Sequence, residues 1–353
     1  MYDKFGLAHN QQWIKGTAKM KKWLQEKIIY PLLDKLPRGM REKIKMAGTC
    51  LFGNGWGYLI LSRPCDILKV SADEIKKLYA GLSDHSLEIL LTYYKYAELA
   101  AYFAKNLDMQ KNNVIIVPLK QLFPGVEEKT EKEEKLCREI RREVPFDHVL
   151  PEVFYYHHGL KFLDAGVRDY IENTVFLDLG AFIGDSTYVL AQYKPSKIIA
   201  FEPSKQNCNE YISNLQHEKI QNFELFQMGI AERPGRLSLD DNGLGSSFTE
   251  NGGNDIDVVS VDGFLEQHDY GKIGLIKADL EGMGLQMVKG ALETIKRDRP
   301  VLLLGIYHNA DEFTGIYALL KDELQGYHYQ VEALSSFYEI TLLAWPEEAV
   351  KKA

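Results

Sequence analysis

Cysteine is scarce. Cys50, Cys65, Cys137 and Cys208 are the only four in 353 residues, too few for a disulfide scaffold, and no Cys-x-x-Cys pair offers a zinc site. That usage suits a reducing compartment, so a cytoplasmic location is expected. Long apolar runs are missing too. No stretch approaches the roughly 18 uninterrupted apolar residues of a spanning helix, so no transmembrane segment is expected. Met1–Asn10 is polar and carries no apolar core ahead of a cleavage site, which argues against a signal peptide. An excess of positive charge is also absent. Lys and Arg total 42 against 50 Asp and Glu, a net charge of −8, so the chain as a whole is not built to bind nucleic acid or another polyanion. Internal repeats and low-complexity segments are likewise missing.

What is present is ordinary globular composition, 45% hydrophobic and 26% charged. At roughly 150 residues per domain the length allows about two domains. Texture divides the chain near residue 150, into a mainly helical N-terminal region (1–150) that covers a cofactor or shapes an acceptor cleft, and an α/β domain (151–353). Trp13–Met46 has apolar residues at helical spacing, interrupted by Pro31 and Pro37, and is locally basic. A solvated helix face is the expected reading there, with an acidic membrane or partner surface as the alternative. Phe52–Gly57 is a Gly-rich loop without the Gly-Lys-Ser/Thr of a phosphate cradle. Leu82–Leu107 predicts a helix capped by Ser83 or Asp84, Val114–Val117 a short strand, and Glu127–Glu143 an exposed helix or linker.

Beyond Phe154, short apolar runs alternate with helix-like segments: Val175–Leu179, Ile198–Phe201, Phe223–Phe226, Val258–Val261, Leu275–Ala278 and Val301–Ile306. Several are continuous rather than alternating, as in strands buried on both faces of a parallel sheet. The pattern is α/β and doubly wound. Tyr329–Val331 and Ile340–Ala344 predict a terminal hairpin added to that sheet.

The chemistry concentrates where these strands end. Val175–Leu179 runs into Asp178, then turns through Gly180 and Gly184 toward Asp185, Ser186 and a helix. Glycines let a backbone turn tightly and let a ligand approach it. The spacing is Gly-x-x-x-Gly, not the Gly-x-Gly-x-x-Gly of a dinucleotide fold, and Asp178 would repel a pyrophosphate. An acid there suits a cationic group, such as the amino group of an amino acid. The next strand ends in Glu202-Pro203-Ser204, and a carboxylate at that place accepts both hydroxyls of a ribose. A nucleoside with a positively charged amino-acid arm satisfies both, which describes S-adenosylmethionine. Taken singly, either acid is as well explained by a cap or an ion pair.

With these segments the chain resembles the FkbM-type methyltransferases, of the class I S-adenosylmethionine-dependent enzymes. Asp178–Ser186, Phe201–Ser204, Ile256–Asp262 and Ile276-Lys-Ala-Asp-Leu-Glu-Gly282 followed by Val288-Lys-Gly-Ala291 carry the resemblance, which spans about Phe154 to Ala344. It implies a Rossmann-like seven-stranded sheet with a C-terminal β-hairpin. It also implies that Asp178, Gly180 and Gly184 surround the methionine arm, that Glu202 holds the ribose, and that Gln227-Met228-Gly229 lies near the adenine. Ala181, Asp185, Ser186, Pro203 and Asp279 complete the implied cofactor set. The implied acceptors are hydroxyl groups on sugars or secondary metabolites, so the expected partner is a small molecule or glycan. One position departs. Where the family usually carries a second glutamate two residues past the Glu-Gly pair, this chain has Gly284.

Methyl transfer to a hydroxyl needs in-line approach and commonly a base. Asp279, at the end of the fourth strand, is the first candidate. Lys277 lies two residues earlier on the same face, to tune it or steer the acceptor; a structural ion pair between the two is the alternative. Glu281 is read as a cap of the following helix. His308, closing the fifth strand, is a second candidate base or a packed residue. His157-His158 lacks further ligands at metal spacing, so no metal is expected, and Tyr155 or Tyr156 beside it suits a lid over the cofactor. Leu239–Ser247 reads as an acidic acceptor-side loop without calcium-ligand spacing. The expected function is O-methylation. Two rivals remain: a non-catalytic S-adenosylmethionine-binding module, favoured by Gly284, and a nicotinamide-dependent oxidoreductase, disfavoured by the glycine spacing.

Overall fold

A computed structural model describes residues 57–60, 64–106, 114–117, 126–141, 143–146, 149–240, 247–249, 254–335 and 339–350. The basic stretch Trp13–Met46, the Gly-rich loop up to Trp56 and most of the acidic loop after Asp240 lie outside the described residues. The chain divides into two units, one of residues 1–59 and 114–128, the other of residues 60–113 and 129–353. Strands Gly57–Ile60 and Val114–Val117 pair as a two-stranded sheet.

The larger unit is built on a seven-stranded sheet. Its strands in chain order are β1 (Val175–Leu179), β2 (Lys197–Phe201), β3 (Phe223–Phe226), β4 (Ile273–Ala278), β5 (Val301–Gly305), β6 (Tyr327–Ala333) and β7 (Ile340–Pro346). Across the sheet they run β6-β7-β5-β4-β1-β2-β3. β1 to β5 are mutually parallel, and β7 pairs antiparallel with both β5 and β6. This is the α/β architecture with the terminal hairpin that the apolar runs predict. The central runs are continuous because both faces are covered. Leu177, Ile199, Ile276 and Leu304 pack on one side with Phe313, Ile316 and Leu320. Phe176, Ile198, Leu275 and Leu303 pack on the other with Val167 and Ile171. Each such fully buried aliphatic side chain contributes about 1.5–3 kcal/mol.

The run Val258–Val261 behaves differently from expectation. Asn254–Val259 joins a separate four-stranded sheet, pairing with Gly229–Ile230 and Gly235–Asp240. Ser260 then caps the helix Val261–Glu266 by accepting from the Gly263 N–H. A short apolar run does not say which sheet it joins.

Helix Asp84–Asn106 begins as its sequence predicts, with the Ser83 hydroxyl accepting from the Ser86 N–H at 3.2 Å. It lies against the terminal hairpin and the end of β5. Ser86 Oγ accepts from the Val331 N–H at 2.9 Å, and the Tyr93 hydroxyl donates to the Tyr307 carbonyl at 2.6 Å. No helix among the described residues is long and apolar enough to cross a membrane.

Candidate functional site

The carboxyl ends of β1, β2, β4 and β5 carry the polar residues. Parallel strands in register put equivalent side chains side by side, and Lys277 on β4 is the register partner of Asp178 on β1. Both are buried, and Lys277 Nζ sits 3.2 Å from Asp178 Oδ1 while donating to the Gly180 carbonyl at 2.8 Å. The other Asp178 oxygen accepts from the Thr187 hydroxyl at 2.7 Å, and Thr187 accepts in turn from Tyr211. Oδ2 is thus hydrogen-bonded, while the buried Oδ1 faces the Lys277 ammonium without a hydrogen bond of its own. Burial works against the Lys277 charge, but Asp178, Asp279 and Asp185 outweigh it and raise its pKa. The alternative reading of Lys277, an ion pair with Asp279, gives way to this cross-strand pair.

After β1 the chain turns on Gly180, whose φ is +77°. A β-carbon there would lie 2.0 Å from the Asp279 carbonyl oxygen, so glycine is required by the approach of the β1 turn to the end of β4. The Gly180 and Ala181 N–H groups both donate to the Phe201 carbonyl, which ties the turn to β2. Gly184 precedes the helix Asp185–Leu190, in which Asp185 and Ser186 are buried. Asp185 Oδ1 accepts from the Ser186 N–H at 2.8 Å, and burial lifts its pKa to about 6.

Glu202 follows β2 and is buried. Its Oε2 accepts from the Phe182 N–H at 3.0 Å, and its Oε1 from the Ser204 N–H and the Asn207 side chain. These donors favour the anion, yet burial dominates and raises the pKa to about 7. Pro203 continues into Ser204, which caps helix Lys205–His217. Beyond β3, the edge strand, Gln227 is exposed, Met228 packs on the core and Gly229 opens the second sheet.

Asp279 lies just past β4, and its side chain is 35% exposed, the most reachable carboxylate of this group beside Glu281. Tyr307 donates to both its oxygens at 3.1 Å, and His308 Nε2 stands 3.1 Å from Oδ1. Burial would raise its pKa, but the His308 bond and charge, with Lys277, hold it below the usual carboxylate range. His308 itself is buried, its Nδ1 2.8 Å from Glu312 Oε2. Burial disfavours its charge, but Glu312 and Asp279 raise its pKa well above that of a free imidazole.

Glu281 does not cap the next helix. Helix Gly284–Lys289 has Met283 at its N-cap with no side-chain bond, and the Gly284 N–H donates to Glu312 Oε1 at 2.7 Å. Glu281 adopts φ +51° and approaches His308 Nε2 to 4.0 Å. A β-carbon at 284 would lie 2.8 Å from Glu312 Oε1. A side chain at 284 and the Glu312 carboxylate thus compete for one volume, which accounts for the glycine where a glutamate is expected.

The segment before β1 contributes residues that sequence reasoning missed. Tyr156 turns to Glu133, donating at 3.0 Å, and stacks on Phe162; Tyr155 packs edge-on against Tyr156. Glu152 and His158 reach the strand ends instead. Burial lifts Glu152 to about 8, with Asp279 and Asp185 adding to it, and Glu339 shares its hydrogen bond. Burial and then Lys277 lower His158 to about 3, leaving a neutral ring hydrogen-bonded to Ser186 Oγ at 3.0 Å. His157 pairs with the Tyr193 hydroxyl. The described residues hold no group of His, Cys, Asp and Glu able to bind a metal ion. Glu312, also missed, sits in an Asn309-x-x-Glu312 pattern that reads as a helix cap, which Asn309 does supply.

Residues 178–330 match the sequence model of the family described as the methyltransferase FkbM domain. No curated protein matches the chain. Among solved structures, the FkbM methyltransferase of Methylobacillus flagellatus KT is similar with a TM-score of 0.50 at 17% identity, over 77% of this chain and 58% of that one. The chain therefore spans less than two thirds of the length of that relative. An O-methyltransferase of Bacillus cereus, solved in complex with SAH, aligns at 13% identity and a TM-score of 0.39, over 70% of this chain and 96% of that one. Residues 178–330, seated on the sheet order described above, are a methyltransferase domain of the FkbM type with the class I fold.

Proposed function

We propose that the protein binds S-adenosylmethionine at the carboxyl ends of β1 and β2 and methylates a hydroxyl of a sugar-containing or secondary-metabolite acceptor brought to Asp279. One observation carries the reading. Asp185, Glu202 and Asp279, from three different strand ends, all fall within electrostatic reach of Lys277, and burial raises the first two toward neutrality. A site so rich in buried carboxyl groups favours a ligand that brings positive charge. When bound, S-adenosylmethionine supplies a methyl group activated on a sulfonium, together with an ammonium group. A neutral or cationic acceptor suits the same surroundings better than a phosphorylated one, in keeping with the net charge of −8.

The chain's residues divide the work. Glu202 offers the oxygen that accepts only one N–H, Oε2, to ribose hydroxyls. Lys277 neutralises Asp178 and pins the Gly180 turn. Asp279, held by Tyr307 and His308, faces the acceptor and takes the proton of its hydroxyl directly or through one water. Its low proton affinity is no obstacle, because that proton becomes strongly acidic as the oxygen gains a methyl group. Helix Asp84–Asn106 supports this wall through Tyr93 and Tyr307. Proximity supplies most of the acceleration and the base a smaller share.

Isothermal calorimetry on the full chain with S-adenosylmethionine, its demethylated product and NAD tests the reading. Saturable binding of the first two with none of NAD is expected. Binding of NAD alone, or of none, overturns it.

A further inference from the structure

Glu312 has no part in the chemistry described so far, yet it is wholly buried in the first turn of helix Ala310–Glu323. A charged group in such a place must be matched by partners. It has three: Oε2 lies 2.8 Å from His308 Nδ1 and accepts from the His308 backbone N–H at 3.3 Å, while Oε1 accepts from the Gly284 N–H at 2.7 Å. The far side of the same imidazole meets Asp279 at 3.1 Å. We propose that Glu312 is a positioning residue, which holds the His308 ring with its Nε2 edge beside Asp279, 3.1 Å from Oδ1, and so fixes the carboxylate that meets the acceptor. The catalytic half of this rests on the function proposed above.

The chemistry of imidazole supports the role. A ring with a carboxylate oxygen within ion-pair distance of each nitrogen, 2.8 Å at Nδ1 and 3.1 Å at Nε2, is favoured in its protonated form, which carries a proton on both. The groups facing the ring come from several elements. Asp279 and Glu281 approach it from the segment after β4, Glu312 from the helix, and Glu339 from the residue before β7, with the Tyr307 ring 3.9 Å away. Of the carboxylates within ion-pair distance of the ring among the described residues, Glu312 is the one at Nδ1. Without its charge, Nδ1 loses its reason to keep a proton and the ring is free to donate or accept at Nε2. Asp279 would then keep Tyr307 but lose its charged partner.

The crowding at Gly284 adds an independent argument. A β-carbon there would stand 2.8 Å from Glu312 Oε1, so a glutamate at 284 starts beside the place of the Glu312 carboxylate, within reach of the same ring once Glu312 is shortened. The double variant Gly284→Glu with Glu312→Ala therefore offers a carboxylate from a second source next to the emptied place. A glutamate that merely capped the helix would not be restored by such an exchange.

The test is the titration of the His308 ring in the full chain, followed by NMR of labelled histidine and assigned by its loss in His308→Gln. In the unaltered protein the ring is expected to stay doubly protonated through neutral pH. In Glu312→Gln, which keeps the shape of the side chain, its midpoint is expected to fall by about one pH unit or more. The double exchange is expected to recover most of that loss. Given an acceptor, Glu312→Gln should lower kcat by about tenfold to a hundredfold and leave the KM for S-adenosylmethionine nearly unchanged. A neutral His308 ring at pH 7 in the unaltered protein overturns the proposal without any variant, as does an unchanged midpoint in Glu312→Gln. Calorimetry on the same samples keeps the two readings apart: failure to bind S-adenosylmethionine overturns the proposed function, an ordinary His308 overturns the role of Glu312.

Discussion

Lys277 and Asp178 form a buried ion pair across neighbouring parallel strands, at 3.2 Å, with the ammonium also bonded to the Gly180 carbonyl. Removing one partner of such a pair leaves a charge buried and uncompensated, at a cost of about 3–5 kcal/mol. Lys277→Met should lose stability on that scale in urea unfolding. The double variant Lys277→Met with Asp178→Asn should recover much of it, since the lone charge is gone. A Lys277→Met protein within about 1 kcal/mol of the parent would mean that the pair contributes little.

Asp279→Asn keeps the size of the side chain and removes its proton affinity. Cofactor affinity should stay within a few-fold while turnover falls by about 10²–10⁴. Loss of S-adenosylmethionine binding alone would reassign Asp279 to the methionine arm and move the base to His308, which His308→Ala would then examine.

Glu202 predicts a pH dependence. Burial raises it to about 7 in the folded chain, against about 4.3 in an unfolded one. The folded state therefore holds the proton more tightly, and this contribution to stability is complete below about pH 4.3 and lost as pH rises through about 7. Under the proposed ribose contact, cofactor binding runs the other way, because ribose hydroxyls need the anion as acceptor. Calorimetric affinity for S-adenosylmethionine should climb between pH 6 and 8, on either side of the Glu202 midpoint of about 7. In Glu202→Gln the slope should vanish and the affinity at the upper end should be about tenfold lower or worse. A slope that survives the substitution would assign the titration to another group.

Gly180→Ala should destabilise the fold as well as the site. Its φ of +77° strains any other residue, and the added carbon would meet the Asp279 carbonyl. A loss of about 2 kcal/mol or more is expected in thermal or denaturant unfolding. An unchanged midpoint would mean that the two turns separate at no cost.

Much of this was legible in the sequence because it is local. Continuous apolar runs gave the parallel strands, and the acid-glycine turn after β1 and Glu202 after β2 stand at the strand ends as expected. His308 closes β5 at the same edge. What escaped depends on partners distant along the chain. Spacing joins Lys277 to Asp279, whereas the sheet register joins it to Asp178, 99 residues earlier in the numbering. Glu312 reads as part of a helix cap, and only the packing of that helix on β4 and β5 turns its carboxylate to His308 and Gly284. Glu152 and His158 sit in a segment whose aromatic residues drew attention, but which delivers its titratable groups to the strand ends instead.

The place of β7 in the sheet bears on how the molecule is assembled. The strand lies between β5 and β6, so its partners are both synthesised before it. Until Ile340–Pro346 leaves the ribosome, β5 has a bare edge and β6 has no neighbour. His308, which follows β5, and Glu339, which precedes β7, come together only once that gap is filled. The acidic wall is thus among the last parts of the fold to form, and a nascent chain stalled before residue 340 would carry an open strand edge along β5.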